Sequence, residues 1–181
     1  NPTVIICDPA LIGVHDRIQS DLTTNVVRKV DPMERMGVLV DIDGETQIIE
    51  YSELTEQQAH RQDDAGNWVF WAGNTAIHVF SLTFLQSLVA DGCQLELHVA
   101  HKKVPHVGAD GEPVDPSEPN AHKFERFIFD ALPLAQKTLI VEGDRDREFN
   151  PVKNATGSDS PETSQAAISH IGREWLQQSG I

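Results

Sequence analysis

Asn74 is the residue whose type fits its surroundings least. It follows Gly73 inside the apolar run FWAGNTAIHVF, so its amide is expected to be buried and to need hydrogen-bond partners. Gly73 would allow another group to approach the backbone closely, because it has no side chain. The pair can therefore serve a ligand, or Asn74 can bond to a neighbouring strand edge as a purely structural group.

Glu50 is a second candidate for ligand binding. It ends the predicted strand TQIIE and precedes Tyr51, Ser52 and Glu53. A carboxylate at this point could accept hydrogen bonds from two sugar hydroxyls, or it could cap the next helix. Glu53 is better placed for the helix, which leaves Glu50 as the freer carboxylate.

Two further segments could contribute an aromatic wall and a positive charge. Phe127 and Phe129 lie two residues apart in RFIFD, so on a strand they would share one face, although such pairs are usually plain core. Lys153 lies in FNPVKNATG, a loop of Asn, Gly and Ser after Pro151. It could meet a phosphate group, but most lysines in such loops are solvated.

Composition restricts the class of partner. The chain has 14 basic and 28 acidic residues and a net charge of −14, which argues against nucleic acid or an anionic membrane and requires any phosphate site to be local. No apolar run approaches the roughly 20 residues of a membrane span, and no signal peptide is recognisable, so a soluble cytoplasmic protein is expected. Cys7 and Cys93 are expected to be core thiols, and the pair His98 and His101 lacks the acidic or thiolate partners of a metal site.

The elements that must position these residues alternate between strands and helices. This pattern predicts one α/β domain over residues 1–181, with the segment 104–120 as a surface loop or small hairpin. The run 68–80 is apolar enough to be interior throughout. The predicted strands are 3–7, 23–30, 36–43, 45–51, 95–100 and 138–143. Strands 36–43 and 45–51 are expected to form a hairpin at Asp43-Gly44. One predicted helix begins at Asp8-Pro9, and the others cover 52–60, 82–90 and 161–178.

Seven segments in order resemble one enzyme family, the UDP-N-acetylhexosamine pyrophosphorylases, over nearly the whole chain. The blocks that match the family are Glu-Tyr-Ser-Glu, Gly-Asn-x-x-x-His, Lys-Lys-x-Pro, Phe-x-Phe-Asp and Pro-x-Lys-Asn. Their order and spacing make the probability of a chance match very small. The segments are 8–13, 26–39, 48–54, 71–80, 98–107, 119–130 and 148–155.

The resemblance implies a Rossmann-like nucleotidyltransferase fold with a mixed sheet flanked by helices. It also implies that the chain is the C-terminal, sugar-phosphate-binding part of one catalytic domain, without the N-terminal strands and glycine-rich loop that hold the nucleotide. Asn1 resembles the nucleotide-binding residue that follows a magnesium-binding aspartate of the family. The Mg²⁺ ligand would therefore lie just upstream of Asn1, and no metal ligand is expected within the chain.

The same resemblance assigns roles to the residues singled out above. Gly37, Glu50, Gly73 and Asn74 match positions around the hexose hydroxyls. Phe127 and Phe129 match the wall beside the sugar and its N-acetyl group, and Lys153 matches a catalytic lysine that meets the phosphates.

The implied reaction joins UTP and a sugar 1-phosphate to form UDP-N-acetylglucosamine, or a related UDP-sugar, and pyrophosphate. Glucose 1-phosphate is the alternative sugar substrate. A different class of function, a sugar-binding or regulatory module without catalysis, is the other alternative, since the glycine-rich loop is absent. The chain alone is expected to bind weakly and to be inactive without the N-terminal half of the enzyme.

Overall fold

A computed structural model of the chain describes residues 8–90, 92 and 95–181. The predicted strand 3–7 and the residues Asn1, Cys7 and Cys93 lie outside the described residues. Within the described part of the chain, no helix is both long and apolar enough to cross a membrane.

The chain alternates between strands and helices as the sequence pattern predicts. In chain order the elements are α1 (Pro9–Ile18), β1 (Leu22–Arg28), β2 (Val38–Ile42), β3 (Glu45–Ile49), α2 (Glu56–Ala59), β4 (Ala72–Phe80), α3 (Leu82–Ala90), β5 (His98–Lys102), β6 (His106–Val107), β7 (Pro113–Val114), β8 (Ala121–Glu125), a 3-10 helix (Ile128–Leu134), β9 (Thr138–Glu142), α4 (Arg145–Glu148) and α5 (Pro161–Gln178).

A five-stranded mixed sheet is the centre of the fold. Its strand order is β3-β2-β4-β1-β9. Strands β1 and β9 are parallel, whereas β1 with β4, β4 with β2, and β2 with β3 are antiparallel. This arrangement confirms the predicted α/β class.

The hairpin of β2 and β3 follows from its turn. Val38 pairs with Ile49 and Ile42 pairs with Glu45, so only Asp43 and Gly44 connect the strands. Both turn residues have positive φ, 55° and 88°. Asp-Gly is the sequence that accepts this geometry at low cost, which is why the hairpin could be predicted.

Successive residues of β1 contact helical elements on opposite faces of the sheet. Leu22 is fully buried in a cluster with Phe84 and Leu88 of α3 and with Leu132 of the 3-10 helix. The next residue points to the opposite face, where the hydroxyl of Thr23 lies 2.8 Å from Nδ1 of His15 in α1. Helical elements therefore contact both faces of β1.

Three helices form where their caps predict them. The Asp8 carboxylate accepts from the Ala10 N–H at 2.9 Å and Pro9 opens α1. Ser160 caps α5, which has the predicted bounds Pro161–Gln178. The predicted helix 82–90 is also confirmed, with the Ser81 hydroxyl accepting from the Phe84 N–H at 3.2 Å.

Three predicted elements are wrong in extent. The helix expected over 52–60 is only the single turn α2, because Thr55 and Gln58 form a capping box that starts it late. The run 68–80 is buried only at residues 72–75, whereas Ala76 is exposed and the remainder of β4 is half-buried. The strand expected over 95–100 lies instead at His98–Lys102, where it pairs with β8.

Candidate functional site

Asn74 lies at an irregular point of the sheet. One residue of β1, Asn25, faces three of β4, residues 75–77, because Thr24 pairs with His78 and Val26 with Asn74. Ala76 in this bulge has a φ of 62°. The buried Asn74 supports it, since its Oδ1 accepts from the Ala76 N–H at 3.0 Å. The donor end of the Asn74 amide has no hydrogen-bond partner among the described residues, so it is available to an acceptor.

A segment of three residues, 35–37, connects two of the sequence-predicted groups. The Gly37 carbonyl accepts from the Asn74 N–H at 2.8 Å. Two residues earlier, the Arg35 carbonyl accepts from Lys153 Nζ at 2.7 Å. Between them, Met36 is buried in a cluster with Val27 and Phe149. The amide and the lysine, far apart in sequence, are thus fixed to opposite ends of one short stretch of backbone.

Glu50 lies against the same segment. A Cβ at Gly37 would lie 3.0 Å from Glu50 Oε1 and 2.9 Å from Ile48 Cγ2, so a side chain there would press on the carboxylate. Burial, followed by repulsion from Glu53, raises the pKa of Glu50 above its usual value. Among the described residues, none donates a hydrogen bond to this carboxylate. Hydrogen bonds from ligand hydroxyls would offset the free-energy cost of burying this carboxylate.

Glu53 does not occupy the helix in which sequence reasoning placed it. It precedes α2, and its Oε2 accepts from the Glu50 N–H at 2.9 Å. Its other oxygen lies 3.5 Å from Nδ1 of His98. Glu53 therefore holds the backbone of Glu50 in place, a role that no local pattern signals.

Phe127 and Phe129 lie together, but the prediction that they share a strand face is wrong. Phe127 caps the 3-10 helix and Phe129 lies within it, because the Asp130 carboxylate accepts from the Phe127 N–H at 3.3 Å and turns the chain. Their rings are nonetheless stacked, with centroids 4.8 Å apart and planes at 9°. Phe129 is buried and Phe127 is half-buried, so only Phe127 offers substantial ring surface.

Lys153 is half-buried, unlike a solvated loop lysine. Burial lowers the pKa of its ammonium group, with Asp159 and Glu34 opposing that shift. The Nζ atom lies 5.3 Å from the Phe149 ring centroid. Arg145 packs over the same ring at 5.2 Å. Burial and the shared ring fix the position of the lysine charge.

Sequence reasoning missed two arginines beside Lys153. Arg35 donates to Asn154 Oδ1 at 3.0 Å. Arg145 is paired with Glu34 and donates to the Arg28 carbonyl at 2.9 Å. A single basic residue gives no sequence signal that separates it from surface charge, so only the fold reveals this positive cluster.

A cavity of about 1070 Å³ lies elsewhere in the described part of the chain. It contains none of the sequence-predicted site residues, and it begins at Asp8, directly after the residues that lie outside the description. Representative lining residues are Asn25, His78, Glu148 and Trp175. The sequence-predicted residues converge instead around residues 35–37.

Asn1, the predicted nucleotide-binding residue, lies outside the described residues. In the described part of the chain, no group of three or more His, Cys, Asp or Glu residues is arranged to hold a metal ion.

Gly73 gives a stability prediction with a matched control. A Cβ at Gly73 would lie 2.5 Å from Met36 Sδ and 3.2 Å from the Val27 carbonyl oxygen, whereas one at Gly172 in α5 would meet nothing within 4 Å. We expect Gly73→Ala to lower the free energy of unfolding by about 1–3 kcal/mol. Gly172→Ala should raise it by about 0.5–1 kcal/mol, because alanine suits a helix interior. Urea unfolding measures both, and equal shifts would contradict the close packing at Gly73.

A profile of the family described as UTP–glucose-1-phosphate uridylyltransferase matches residues 1–159. Two curated relatives carry more specific names. The UDP-N-acetylglucosamine pyrophosphorylase of Saccharomyces cerevisiae is 36% identical, over 97% of this chain and 38% of its own length. The human UDP-N-acetylhexosamine pyrophosphorylase-like protein 1 is 36% identical, over 99% of this chain and 36% of its own length. The chain thus spans less than two fifths of these relatives.

The fold has a solved counterpart. The UDP-N-acetylglucosamine pyrophosphorylase from Trypanosoma brucei, solved with an inhibitor, superposes with a TM-score of 0.78 at 28% identity. The match covers 96% of this chain and 34% of that structure. The predicted nucleotidyltransferase fold is therefore confirmed, and this chain corresponds to about a third of the solved structure.

Proposed function

Because the chain belongs to the UTP–glucose-1-phosphate uridylyltransferase family, we propose that it is the sugar-phosphate-binding part of a uridylyltransferase that makes UDP-N-acetylglucosamine. The full-length protein would use UTP and N-acetylglucosamine 1-phosphate and release pyrophosphate, in the cytoplasm. The names of the relatives support the acetylated sugar.

One observation carries the proposal. Residues 35–37 bond to Lys153 at one end and to Asn74 at the other, with Glu50 against Gly37. A sugar 1-phosphate needs a cation at its phosphate end and hydrogen-bonding groups at its hydroxyl end, at a fixed separation. A single short segment that bonds to both kinds of group is suited to that requirement.

Each group has a role in this proposal. Glu50 and Asn74 bind the sugar hydroxyls, with Gly37 leaving space for the Glu50 carboxylate and Gly73 leaving space for Met36 behind Asn74. The exposed surface of Phe127, backed by the buried Phe129, forms the apolar wall that receives the acetamido methyl group.

The reaction requires no side-chain nucleophile. A phosphate oxygen of the sugar 1-phosphate attacks the α-phosphorus of UTP, a new P–O bond forms, and the bond to the pyrophosphate leaving group breaks. Catalysis then consists of alignment and charge stabilisation. Lys153 would supply positive charge at the phosphates, held in place by the Arg35 carbonyl and the Phe149 ring.

The nucleotide side of the site would adjoin Asn1. Asn1 would contact the nucleotide, and Mg²⁺ would be bound by an aspartate before it. When bound, Mg²⁺ neutralises phosphate charge.

Glucose 1-phosphate is the second candidate substrate, because the matching family profile is described by that sugar. The stacked Phe127 and Phe129 favour the acetylated sugar, since glucose has no apolar group to place against them. The full-length protein should therefore release pyrophosphate from UTP fastest with an N-acetylhexosamine 1-phosphate.

The assay that decides between them compares kcat/KM for the 1-phosphates of N-acetylglucosamine, N-acetylgalactosamine and glucose. We expect a preference of about 10- to 100-fold for an acetylated sugar over glucose, the range that contacts with a small apolar group provide. Preference for glucose would replace the proposed substrate, and no pyrophosphate with any of the three would refute the proposed function.

A further inference from the structure

His98, the first residue of β5, lies between two carboxylates. Its Nδ1 is 3.5 Å from Glu53 Oε1, and its Nε2 is 3.0 Å from Asp130 Oδ2. A neutral imidazole has one N–H and would leave one ring nitrogen as an acceptor facing a carboxylate oxygen. Only the imidazolium donates on both sides, so the geometry fits the protonated ring.

The two carboxylates extend this arrangement to the sugar candidates. Glu53 accepts from the Glu50 N–H at 2.9 Å through Oε2, and Asp130 accepts from the Phe127 N–H at 3.3 Å through Oδ2. One imidazole ring thus connects, through one carboxylate on each side, the backbones of the predicted hydroxyl-binding residue and the predicted acetamido wall.

The ring also packs directly on that wall. The centroids of His98 and Phe127 are 4.9 Å apart, with the planes at 56°. The His98 side chain is 20% exposed, so it lies beneath the surface that a ligand would contact. A ligand against Phe127 would depend on the orientation of this ring.

The charges that face His98 favour its protonated form. Burial lowers its pKa, but Asp130 and Glu53 outweigh burial and raise the pKa above its usual value. Glu125 of β8 is its register partner across the strand pair, and Glu50 is near enough for His98 to lower the carboxyl pKa of Glu50. These four acidic residues come from the β3–α2 connection, β8 and the 3-10 helix, and loss of the imidazolium charge would leave their carboxylates to repel one another.

We infer that protonated His98 is a positioning residue that holds Glu50 and Phe127 at the separation the sugar requires. This inference rests on the proposed function and adds to it a pH dependence of sugar binding. Because the pKa is raised in the folded protein, the ordering is complete at low pH and is lost as the pH rises through the folded-state value, which lies above the ordinary histidine value of about 6.5.

The kinetic test measures KM for N-acetylglucosamine 1-phosphate in the full-length protein from about pH 6.5 to about pH 9. In the wild type, KM should rise with pH while kcat changes little, because positioning of the sugar affects binding. His98→Gln should show a KM about tenfold higher at the low end, the scale of a misplaced binding group, and no further rise. His170→Gln, which removes a histidine 3.4 Å from Glu174 on α5, should behave as wild type.

A second variant covers the case in which His98→Gln fails to fold. Glu53→Gln keeps an acceptor for the Glu50 N–H but removes one of the charges that raise the His98 pKa, so the rise in KM should move to lower pH. An unchanged pH profile in this variant, or a wild-type profile in His98→Gln, would overturn the inference.

The charge state can be measured without any activity. The ¹⁵N shifts of the His98 ring, followed through a pH titration of the full-length protein, should give a pKa above the ordinary value, and Glu53→Gln should lower it. A value at or below the ordinary one would overturn the role of His98 while leaving the proposed function standing. An ordered, protonated His98 in a protein that transfers no uridylyl group would refute the proposed function instead.

Discussion

Lys153→Ala in the full-length protein should lower kcat by about 10²- to 10³-fold, the range for losing one preorganised charge-stabilising group. The lysine is half-buried, bonded to the Arg35 carbonyl and close to the Phe149 ring, so its ammonium group occupies one position. Alanine removes the charge from the phosphates, and neither Arg35 nor Arg145 replaces it, because each is already bonded to another side chain.

The effect should be on turnover and not on folding. The urea midpoint of Lys153→Ala should stay close to that of the wild type, since Met36 and Phe149 remain packed. Lys123→Ala is the matched control, because Lys123 is exposed on β8 and paired with Glu125. Near-normal kcat in Lys153→Ala would remove this residue from the mechanism.

Glu50→Gln should raise KM for the sugar 1-phosphate by about 10- to 100-fold, as expected for hydrogen bonds to a charged group worth about 1.5–3 kcal/mol. The carboxylate is half-buried beside Gly37 and receives no hydrogen bond from the described residues. It is therefore free to accept from two hydroxyls, whereas the amide of glutamine presents one acceptor and one donor.

The unfolding stability of Glu50→Gln and the pH dependence of its KM distinguish loss of sugar binding from damage to the fold. Because burial and Glu53 raise the Glu50 pKa, its ionised form costs stability above that pKa, and Glu50→Gln should be neutral or slightly stabilising near pH 7. Wild-type KM should rise as acid protonates Glu50, and the variant should lack that rise. Glu45→Gln on the exposed end of β3 is the control, and a KM equal to wild type in Glu50→Gln would exclude the carboxylate from sugar binding.

The elements that could be predicted are those with local signals. Asp8-Pro9, Ser81 and Ser160 cap helices at their own positions, and Asp43-Gly44 closes a hairpin within two residues. The positive φ of Ala76 could not be predicted, because the bulge is supported by Asn74 and by the register of β1. The turn at Phe127 likewise depends on one side-chain hydrogen bond to Asp130, which overrides the extended pattern of RFIFD.

In the candidate site, too, some residues have a sequence signal and others are revealed only by tertiary contacts. Glu50, Asn74 and Lys153 were accessible from sequence because each has a residue type or a resemblance that draws attention. Residues 35–37 hold them together through backbone carbonyls and the absence of a side chain at Gly37, and neither feature has a sequence signature. The sequence raises His98 only as a candidate metal ligand, whereas its partners are Glu53, in the turn before α2, and Asp130, in the 3-10 helix.

Hydrogen exchange of the full-length protein, with and without saturating N-acetylglucosamine 1-phosphate, tests the central claim most directly. Sugar and phosphate should slow exchange in the segments that form the candidate site, and the cavity around Asn25, His78 and Trp175 should be unaffected. Protection in that cavity with no change in the predicted segments would contradict the account. The predicted segments are 35–37, 48–50, 72–76, 127–130 and 150–154.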